Sequence, residues 1–132
     1  MKALSLTQPY AELVKLGIKM IETRSWKTDY RGVLYIHASL TRIPKASRDN
    51  TALMQLVSGR NLDFGKILCA CELTDCVRMT EDFIVGLQKR NPSEYLAGVY
   101  APGRYAWILK DTRVLDKPFP IKGRLGLWDF DF

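Results

Sequence analysis

The apolar positions of the first forty residues predict a helix followed by two strands. Residues 1–6 are a short apolar start, and Thr7-Gln8-Pro9 is typical of a helix entry in which Thr7 or Gln8 serves as the N-cap. The helix that follows carries an apolar stripe, formed by Tyr10, Leu13, Val14 and Leu16. Gly17 is placed to end this helix in the left-handed conformation.

Residues 19–26 alternate in side-chain type as a strand does. A regular strand would present Lys19, Ile21, Thr23 and Ser25 on one face, and on the other face Met20, Glu22, Arg24 and Trp26. Glu22 and Arg24 are therefore predicted to be same-face neighbours. A polar turn over residues 27–32 leads into residues 33–38, which predict a buried strand.

From residue 44 onward the pattern predicts two further helices separated by a long strand. Residues 44–58 are interpreted as one helix, with an apolar face formed by Leu53, Met54 and Val57. Residues 66–77 predict a central strand. Thr80 is predicted to cap the last helix, which has acidic residues in its first turn and basic residues in its last, and which ends at Asn91-Pro92.

The last third of the chain predicts only strands. Residues 105–110 and 113–115 form a strand or a hairpin around Asp111, residues 117–123 are an extended segment whose two prolines suit a sheet edge, and residues 127–132 close the chain. Strands with inserted helices, without regular βαβ alternation, predict an α+β fold with a mostly antiparallel curved sheet or barrel. In the absence of repeats, linkers and low-complexity tracts, residues 1–132 are expected to form a single domain.

Composition narrows the class of protein. The 132 residues are 47% hydrophobic and 26% charged, as in an ordinary folded domain. No stretch is apolar for long enough to be a membrane span or a secretory signal, so we expect no membrane association and a cytoplasmic location. Three cysteines clustered at positions 69, 71 and 76 cannot form a disulfide framework that spans the fold, and we expect them to be reduced and packed in a strand.

The net charge of +6 is unevenly distributed. Residues 1–66 hold eleven Lys and Arg against five Asp and Glu, whereas residues 67–132 hold nine of each. The excess therefore belongs to the N-terminal half, and it indicates one positively charged region able to attract a polyanion.

Several kinds of chemistry are disfavoured. The single histidine, His37, and the three cysteines lack the spacing of a zinc site, so we expect no metal and no cofactor. The nine glycines form no phosphate-binding loop, which disfavours nucleotide hydrolysis. His37 lies within an apolar strand and is interpreted as a hydrogen-bonded core residue.

The segment from Thr7 to Arg31 collects cations and aromatic side chains that suit a nucleic acid. Its candidate binding residues are Gln8, Lys19, Glu22, Arg24, Trp26, Lys27, Tyr30 and Arg31. Lys and Arg neutralise phosphates, and Trp or Tyr offers a ring on which a base stacks. The alternative interpretation is structural: Trp26 plugs the core, and Glu22 with Arg24 forms a surface ion pair. Lys122 and Arg124 form a second basic group, which either joins the same cleft or is a plain turn.

Three segments together resemble the ASCH domain family, named for the activating signal cointegrator. They are Leu4-Ser-Leu-Thr-Gln-Pro-Tyr10, Gly17-Ile-Lys-Met-Ile-Glu-Thr-Arg-Ser-Trp26 and Arg31-Gly-Val-Leu-Tyr-Ile-His-Ala38. Residues 65–76, Phe119-Pro-Ile-Lys-Gly123 and Leu127-Trp128 extend the match over nearly the whole chain. The resemblance implies a PUA-like fold, a small β-barrel with flanking helices, and an RNA-binding cleft between the first helix and the barrel. By position, its cleft residues would be Gln8, Lys19, Glu22 and Arg24, beside Trp26.

The resemblance also implies possible enzymes. One ASCH-like branch, the acetylcytidine amidohydrolases, uses a Gly-x-Lys-x-x-Thr-x-Arg pattern and a distant glutamate, and ribonuclease activity has been attributed to other members. In this chain Lys19 matches that pattern, Glu22 replaces its threonine, and Thr23 is one residue out of register and should face the other way.

Three hypotheses of function follow. The leading one is a module that binds RNA or another nucleic acid through a basic cleft. The second is an enzyme, a ribonuclease or an amidohydrolase acting on a modified nucleoside, with Lys19 and Glu22 as the reacting pair. The third is a protein-interaction adaptor, for which the aromatic end of the chain, residues 128–132, is the candidate surface.

Overall fold

The computed structural model describes all of residues 1–132. Six strands form one curled, half-barrel sheet, and five helices pack around it. The strands are β1 (Lys2–Leu6), β2 (Ile21–Arg24), β3 (Gly32–Ala38), β4 (Lys66–Arg78), β5 (Tyr105–Pro120) and β6 (Leu127–Asp129). The helices are α1 (Tyr10–Lys15), α2 (Lys45–Arg48), α3 (Thr51–Gln55), α4 (Glu81–Arg90) and α5 (Pro92–Leu96). The predicted α+β fold is confirmed.

The strand order across the sheet is β2-β5-β4-β3-β1-β6. Every neighbouring pair is antiparallel except β1 and β3, which are parallel. The prediction of a mostly antiparallel sheet is therefore confirmed, while the strand character of the apolar start and its parallel pairing were missed. This pairing places Ser5 of β1 opposite His37 of β3.

β5 is a single strand of 16 residues rather than a hairpin around Asp111. Asp111 adopts a φ of 55°, and the register with β4 shifts nearby, so the strand absorbs this residue as an irregularity. β2 pairs only with residues 105–108, which leaves the rest of that side of β5 open. Pro118 and Pro120 lie in this stretch. They are two positions apart, so their nitrogens face the same side of the strand, and that side lacks their N–H donors. The predicted edge position is confirmed.

The helix predicted over residues 44–58 is two short helices instead. Asp49 caps the end of α2, and the Asn50 side chain accepts a hydrogen bond from the backbone N–H of Leu53 at the start of α3. The asparagine thus favours a new cap over continuing the helix. Thr80 caps α4 by accepting from the N–H of Phe83, as predicted, whereas Pro92 begins α5 rather than only ending α4.

The largest core cluster lies between α1 and one face of the sheet. It includes Leu4, Leu34, Ile36 and Trp107 from the strands, and Ala11 and Val14 from α1. Cys69 and Cys71 are buried in β4, and desolvation by burial raises the pKa of each thiol to about 12. These two cysteines therefore act as packing groups, as predicted.

The aromatic end of the chain is mostly covered. Trp128 and Phe130 are 5% and 6% exposed, and only Phe132, at 59%, shows a large apolar surface. Phe132 packs edge-on against Tyr35 and Phe119. The segment named as a candidate adaptor surface thus closes a second, smaller apolar cluster. None of the helices is long and apolar enough to cross a membrane.

Candidate nucleic-acid interface

Lys19 is a buried cation at the junction of α1 and β2. The left-handed turn at Gly17, with a φ of 77°, ends α1 as predicted, and the backbone N–H of Lys19 then bonds to the carbonyl of Leu13. The side chain is 1% exposed, and its Nζ donates to the carbonyls of Ile21 at 2.7 Å and Ala97 at 2.6 Å. Glu22 Oε1 lies 3.3 Å away as a third acceptor. All three N–H groups of the ammonium therefore have acceptors within the protein.

Glu22 joins this buried lysine to a partly exposed arginine. Its Oε2 accepts a hydrogen bond from Arg24 Nε at 2.8 Å, and its Oε1 accepts one from the N–H of Thr23 at 3.2 Å. The Glu22 side chain is 9% exposed and that of Arg24 is 24% exposed. The predicted contact between Glu22 and Arg24 is confirmed, but the pair is largely buried rather than a surface ion pair.

Two pockets lie on either side of Glu22. Pocket A has a volume of about 160 Å³ and is lined by Tyr10, Lys19, Glu22, Thr23, Ala97, Gly98 and Val99. Pocket B has a volume of about 240 Å³ and is lined by Ser5, Leu6, Thr7, Tyr10, Glu22 and Arg24. They share Tyr10 and Glu22, so the carboxylate lies on the boundary between two neighbouring recesses.

The predicted placement of Lys19 and Glu22 on opposite faces is wrong, because Lys19 Nζ lies 3.3 Å from Glu22 Oε1, and Thr23 borders pocket A as well. Lys19 precedes the first residue of β2, so strand alternation does not govern its direction. β2 is an edge strand, and residues 97–99 pack along it. The Thr23 hydroxyl accepts a hydrogen bond there from the N–H of Val99 at 2.9 Å.

Two further pockets are lined by residues that follow β3 and by the segment between β5 and β6. Pocket C, of about 300 Å³, is lined by Ser5, His37, Ser39, Leu40, Thr41, Lys122, Gly123, Arg124 and Leu125. Pocket D, of about 390 Å³, is lined by Leu40, Arg42, Ile43, Arg48 and Phe64. Pockets B and C share Ser5, and pockets C and D share Leu40. Pockets C and D therefore adjoin at one leucine, whereas pockets B and C have only Ser5 in common.

A polar cluster around His37 borders pocket C. Ser5 Oγ lies 2.9 Å from His37 Nδ1 and accepts from Trp128 Nε1 at 3.1 Å, while His37 Nε2 lies 2.8 Å from the carbonyl of Ile121. Since a carbonyl only accepts, Nε2 carries a hydrogen, and in the neutral ring Nδ1 accepts from the serine hydroxyl. Desolvation by burial lowers the pKa of His37, against the raising effect of the Ile121 carbonyl. The prediction of a buried, hydrogen-bonded histidine is confirmed.

Gly123 lies directly against this cluster. A Cβ at this position would be 2.5 Å from His37 Cε1 and 2.7 Å from Ser5 Oγ. Only a glycine permits so close an approach, so the segment that carries Lys122 and Arg124 is seated on the sheet. The sequence singled out these two cations but not Ser5 or His37 as their neighbours.

Gln8 does not face any of the four pockets. It is fully buried; its Nε2 donates to the carbonyl of Asp63 at 2.8 Å, and its Oε1 accepts from the N–H of Glu12 at 2.9 Å. The N-cap of α1 is Pro9 rather than Thr7 or Gln8, yet Gln8 still satisfies an N–H group of the first turn. Both ends of its amide are thus occupied by structural contacts.

The remaining candidates from the first half of the chain lie outside pockets A to D. Trp26 is 40% exposed and packs edge-on against Trp107, with ring centroids 4.8 Å apart, so the interpretation of Trp26 as a core plug is wrong. Lys27 lies 3.9 Å from Asp29, and Arg31 donates to the carbonyls of Thr28 and Tyr30. The Tyr30 hydroxyl donates to the carbonyl of Val33.

Glu94 is a buried carboxyl group that sequence reasoning missed. Its Oε1 accepts from the N–H of Met20 at 2.6 Å, and its Oε2 has no hydrogen-bond partner. Desolvation by burial raises the pKa of Glu94, although the Met20 hydrogen bond and the charge of Lys19 act in the opposite direction. Nothing in the local sequence distinguishes Glu94 from any acid in the first turn of a helix. Arg42 and Arg48 of pocket D were also missed, because no motif in the sequence marks them.

A profile of the ASCH domain family matches residues 4–119. Activating signal cointegrator 1 from Mus musculus and its counterpart from Homo sapiens are each 30% identical to this chain, in alignments that cover 97% of it. The chain spans 22% of the length of either relative.

Two solved structures share the fold. One is the ASCH protein from Zymomonas mobilis, with a TM-score of 0.55 and 15% identity over 91% of this chain and 73% of that one. The other is a tyrosine-to-phenylalanine mutant of the same protein, with a TM-score of 0.54 and 14% identity over 91% of this chain and 75% of that one. At this level of identity the likeness concerns the fold alone.

Proposed function

Since the chain belongs to the ASCH domain family, which is associated with RNA binding, we propose that it is a nucleic-acid-binding module with RNA as its ligand. Residues 1–132 act as one domain in this proposal. The ligand enters a basic cleft between α1 and the curled sheet at pockets A and B, both of which include Tyr10 of α1. The observation that carries the proposal is the Glu22–Arg24 pair, held at 2.8 Å on the boundary between pockets A and B.

Arg24 is the cation of this pair that can reach a ligand. Its Nε is bound to Glu22, its Nη2 makes only a long contact of 3.4 Å to the carbonyl of Ser5, and its Nη1 makes no hydrogen bond within the protein. A guanidinium fixed at one nitrogen and free at another presents its remaining donors in a defined direction, which suits a phosphate or the edge of a base. Lys19, with three acceptors of its own, instead holds Glu22 in place.

Pocket A is smaller than the roughly 300 Å³ at which small-molecule sites begin, so it suits part of a nucleotide rather than a whole one. Glu22 makes three contacts in the protein, and a carboxylate has about four acceptor positions, so one remains for a base amino group or a ribose hydroxyl. A base stacks on the exposed ring of Trp26. Lys27, Tyr30 and Arg31 lie beyond the pockets and contribute only peripheral contacts.

The test is the binding of a fluorescently labelled single-stranded RNA at about 50 mM and about 200 mM salt, with single-stranded DNA of the same sequence in parallel. Affinity for RNA should fall steeply between the two salt concentrations. Arg24→Ala should weaken binding about tenfold or more, as expected for the loss of a charge-assisted hydrogen bond. Arg24→Lys, which keeps the charge but not the forked geometry, should be intermediate.

Arg90→Ala is the matched control, because Arg90 is exposed at the end of α4 and lines none of the four pockets. Salt-independent binding would refute the proposal, and so would equal affinities of the Arg24→Ala and Arg90→Ala variants. Tighter binding of DNA than of RNA would support the cleft as the binding site and would make DNA, rather than RNA, its ligand.

An RNA-directed enzyme is the second candidate, a ribonuclease or an amidohydrolase on a modified nucleoside. Lys19 and Glu22 line pocket A together, with Lys19 Nζ 3.3 Å from Glu22 Oε1, so a carboxylate and a cation could act on one substrate there. The three acceptors around Lys19 Nζ argue for an electrostatic role of this lysine rather than a nucleophilic one. Labelled RNA and a panel of acylated nucleosides should be incubated with the protein. Turnover no higher than that of Glu22→Gln would eliminate this candidate.

A further inference from the structure

Pockets C and D contain four cations that have no ion-pair partner. They are Lys122 and Arg124 in pocket C, and Arg42 and Arg48 in pocket D. All four are exposed, none takes part in an ion pair, and no acidic residue lines either pocket. The cations of the earlier segment differ, since Lys19, Arg24 and Arg31 each have a carboxylate within 4 Å.

The four cations come from separate parts of the chain. Arg42 follows β3, Arg48 is the last residue of α2, and Lys122 and Arg124 lie between β5 and β6. Leu40, which is 75% exposed, is the residue shared by the two pockets. Uncompensated like charges in adjoining recesses repel one another, and concave surfaces focus their field. Such an arrangement favours a ligand that brings negative charge into both pockets.

The cations of pocket C are carried by a fixed segment. Gly123 lies against His37 and Ser5 so closely that a Cβ would overlap the ring, and His37 Nε2 bonds to the carbonyl of Ile121 at 2.8 Å. The backbone that carries Lys122 and Arg124 is therefore held at two points, the Ile121 carbonyl and Gly123. Their positions are set by the fold before a ligand arrives, which reduces the entropy lost on binding.

We propose that pockets C and D bind successive phosphate groups of one nucleic acid strand, while the base that is recognised lies at pockets A and B. This inference rests on the proposed function and adds the place of the sugar–phosphate backbone: at Lys122 and Arg124 and, past Leu40, at Arg42 and Arg48. Volumes of about 300 and 390 Å³ are near the lower end for small-molecule sites, so each pocket accepts about one nucleotide unit of a strand.

The experiment uses two probes on the full chain: a short single-stranded RNA, and an abasic oligomer of equal length that has the sugar–phosphate backbone without bases. The variants are Lys122→Gln with Arg124→Gln, Arg42→Gln with Arg48→Gln, and all four together. Lys89→Gln with Arg90→Gln is the control, because it removes the same charge from exposed positions of α4 that line none of the pockets.

The wild type should bind the abasic oligomer in a salt-sensitive manner. Each pair of substitutions in pockets C and D should weaken binding of both probes about tenfold, and should lower the slope of log affinity against log salt by roughly 0.7 per lost phosphate contact. The control pair should change affinity by about twofold or less. Trp26→Ala should weaken binding of the RNA and leave binding of the abasic oligomer unchanged, since stacking requires a base.

If the control pair and the pocket variants lost the same affinity, net charge alone would explain the binding, and the inference would be overturned. RNA binding that is unchanged in the four-cation variant would also overturn it while leaving the proposed function intact. Wild-type protein that binds RNA but not the abasic oligomer would refute the phosphate path. Wild-type protein that binds neither probe would refute both proposals. Because the four side chains are exposed, urea unfolding midpoints should match the wild type, which checks that the variants are folded.

Discussion

The buried contact between Lys19 and Glu22 allows a stability prediction with a magnitude. Glu22→Gln keeps the shape of the side chain but removes its charge, and so leaves the Lys19 ammonium, 1% exposed, with no carboxylate beside it. Removing one partner of a buried ion pair destabilises proteins by about 3–5 kcal/mol. The amide oxygen still accepts a hydrogen bond and the two backbone carbonyls remain, so we expect a loss at the lower end, about 3 kcal/mol.

Urea unfolding followed by tryptophan fluorescence measures this loss. With a slope of about 2 kcal/mol per molar urea, a loss of about 3 kcal/mol lowers the unfolding midpoint by about 1.5 M. Asp29→Asn is the control, because Asp29 lies 3.9 Å from Lys27 and its side chain is 95% exposed, so its midpoint should match that of the wild type.

A second substitution separates lost charge pairing from lost packing. Lys19→Met in the Glu22→Gln background removes the unpaired ammonium, and it should recover part of the lost stability. The reasoning fails if Glu22→Gln moves the midpoint no further than Asp29→Asn does. It fails equally if Lys19→Met destabilises the wild type and the Glu22→Gln variant by the same amount.

Three other outcomes can be checked with the same protein. Gly123→Ala places a Cβ 2.5 Å from His37 Cε1 and should destabilise by about 1–3 kcal/mol in thermal unfolding, whereas Gly86→Ala, whose Cβ would lie 3.8 Å from Arg90 Nη1, should not. Trp26→Ala should lower RNA affinity by about 1–3 kcal/mol in fluorescence anisotropy, and Trp26→Phe should retain most of it; equal affinity in all three proteins would remove Trp26 from the interface. The raised pKa of Glu94 means that its protonated form favours the folded state, so its contribution is fully present below its unfolded pKa and is lost as pH rises through the folded pKa. The stability of the wild type relative to Glu94→Gln should therefore fall as pH rises over that window, and a pH-independent difference in urea unfolding would contradict the assignment.

The part of the candidate site that could be predicted is the part that is local in sequence. Glu22 and Arg24 are two residues apart in a strand, so alternation places them on one face, and the structure confirms their contact. The sequence predicts Lys19 as a site residue, but the burial of its ammonium depends on Ala97, which is 78 positions away. The motif around Pro9 predicts Gln8 as a site residue, whereas its amide is hydrogen-bonded to the Asp63 carbonyl and the Glu12 N–H.

The sequence by itself determined the fold class, the capped helix α4, the end of α1 at Gly17 and most of the strands. These features depend on interactions between residues a few positions apart, and their signals are capping side chains, glycine conformations and alternating side chains. Only the tertiary structure decided that β1 pairs in parallel with β3, which sets Ser5 beside His37. It also brought Gly123 onto that pair and joined Lys122 and Arg124 to Arg42 and Arg48 in adjoining pockets. Contacts of this kind close long loops and are set by sheet register, and no local spacing along the chain encodes them.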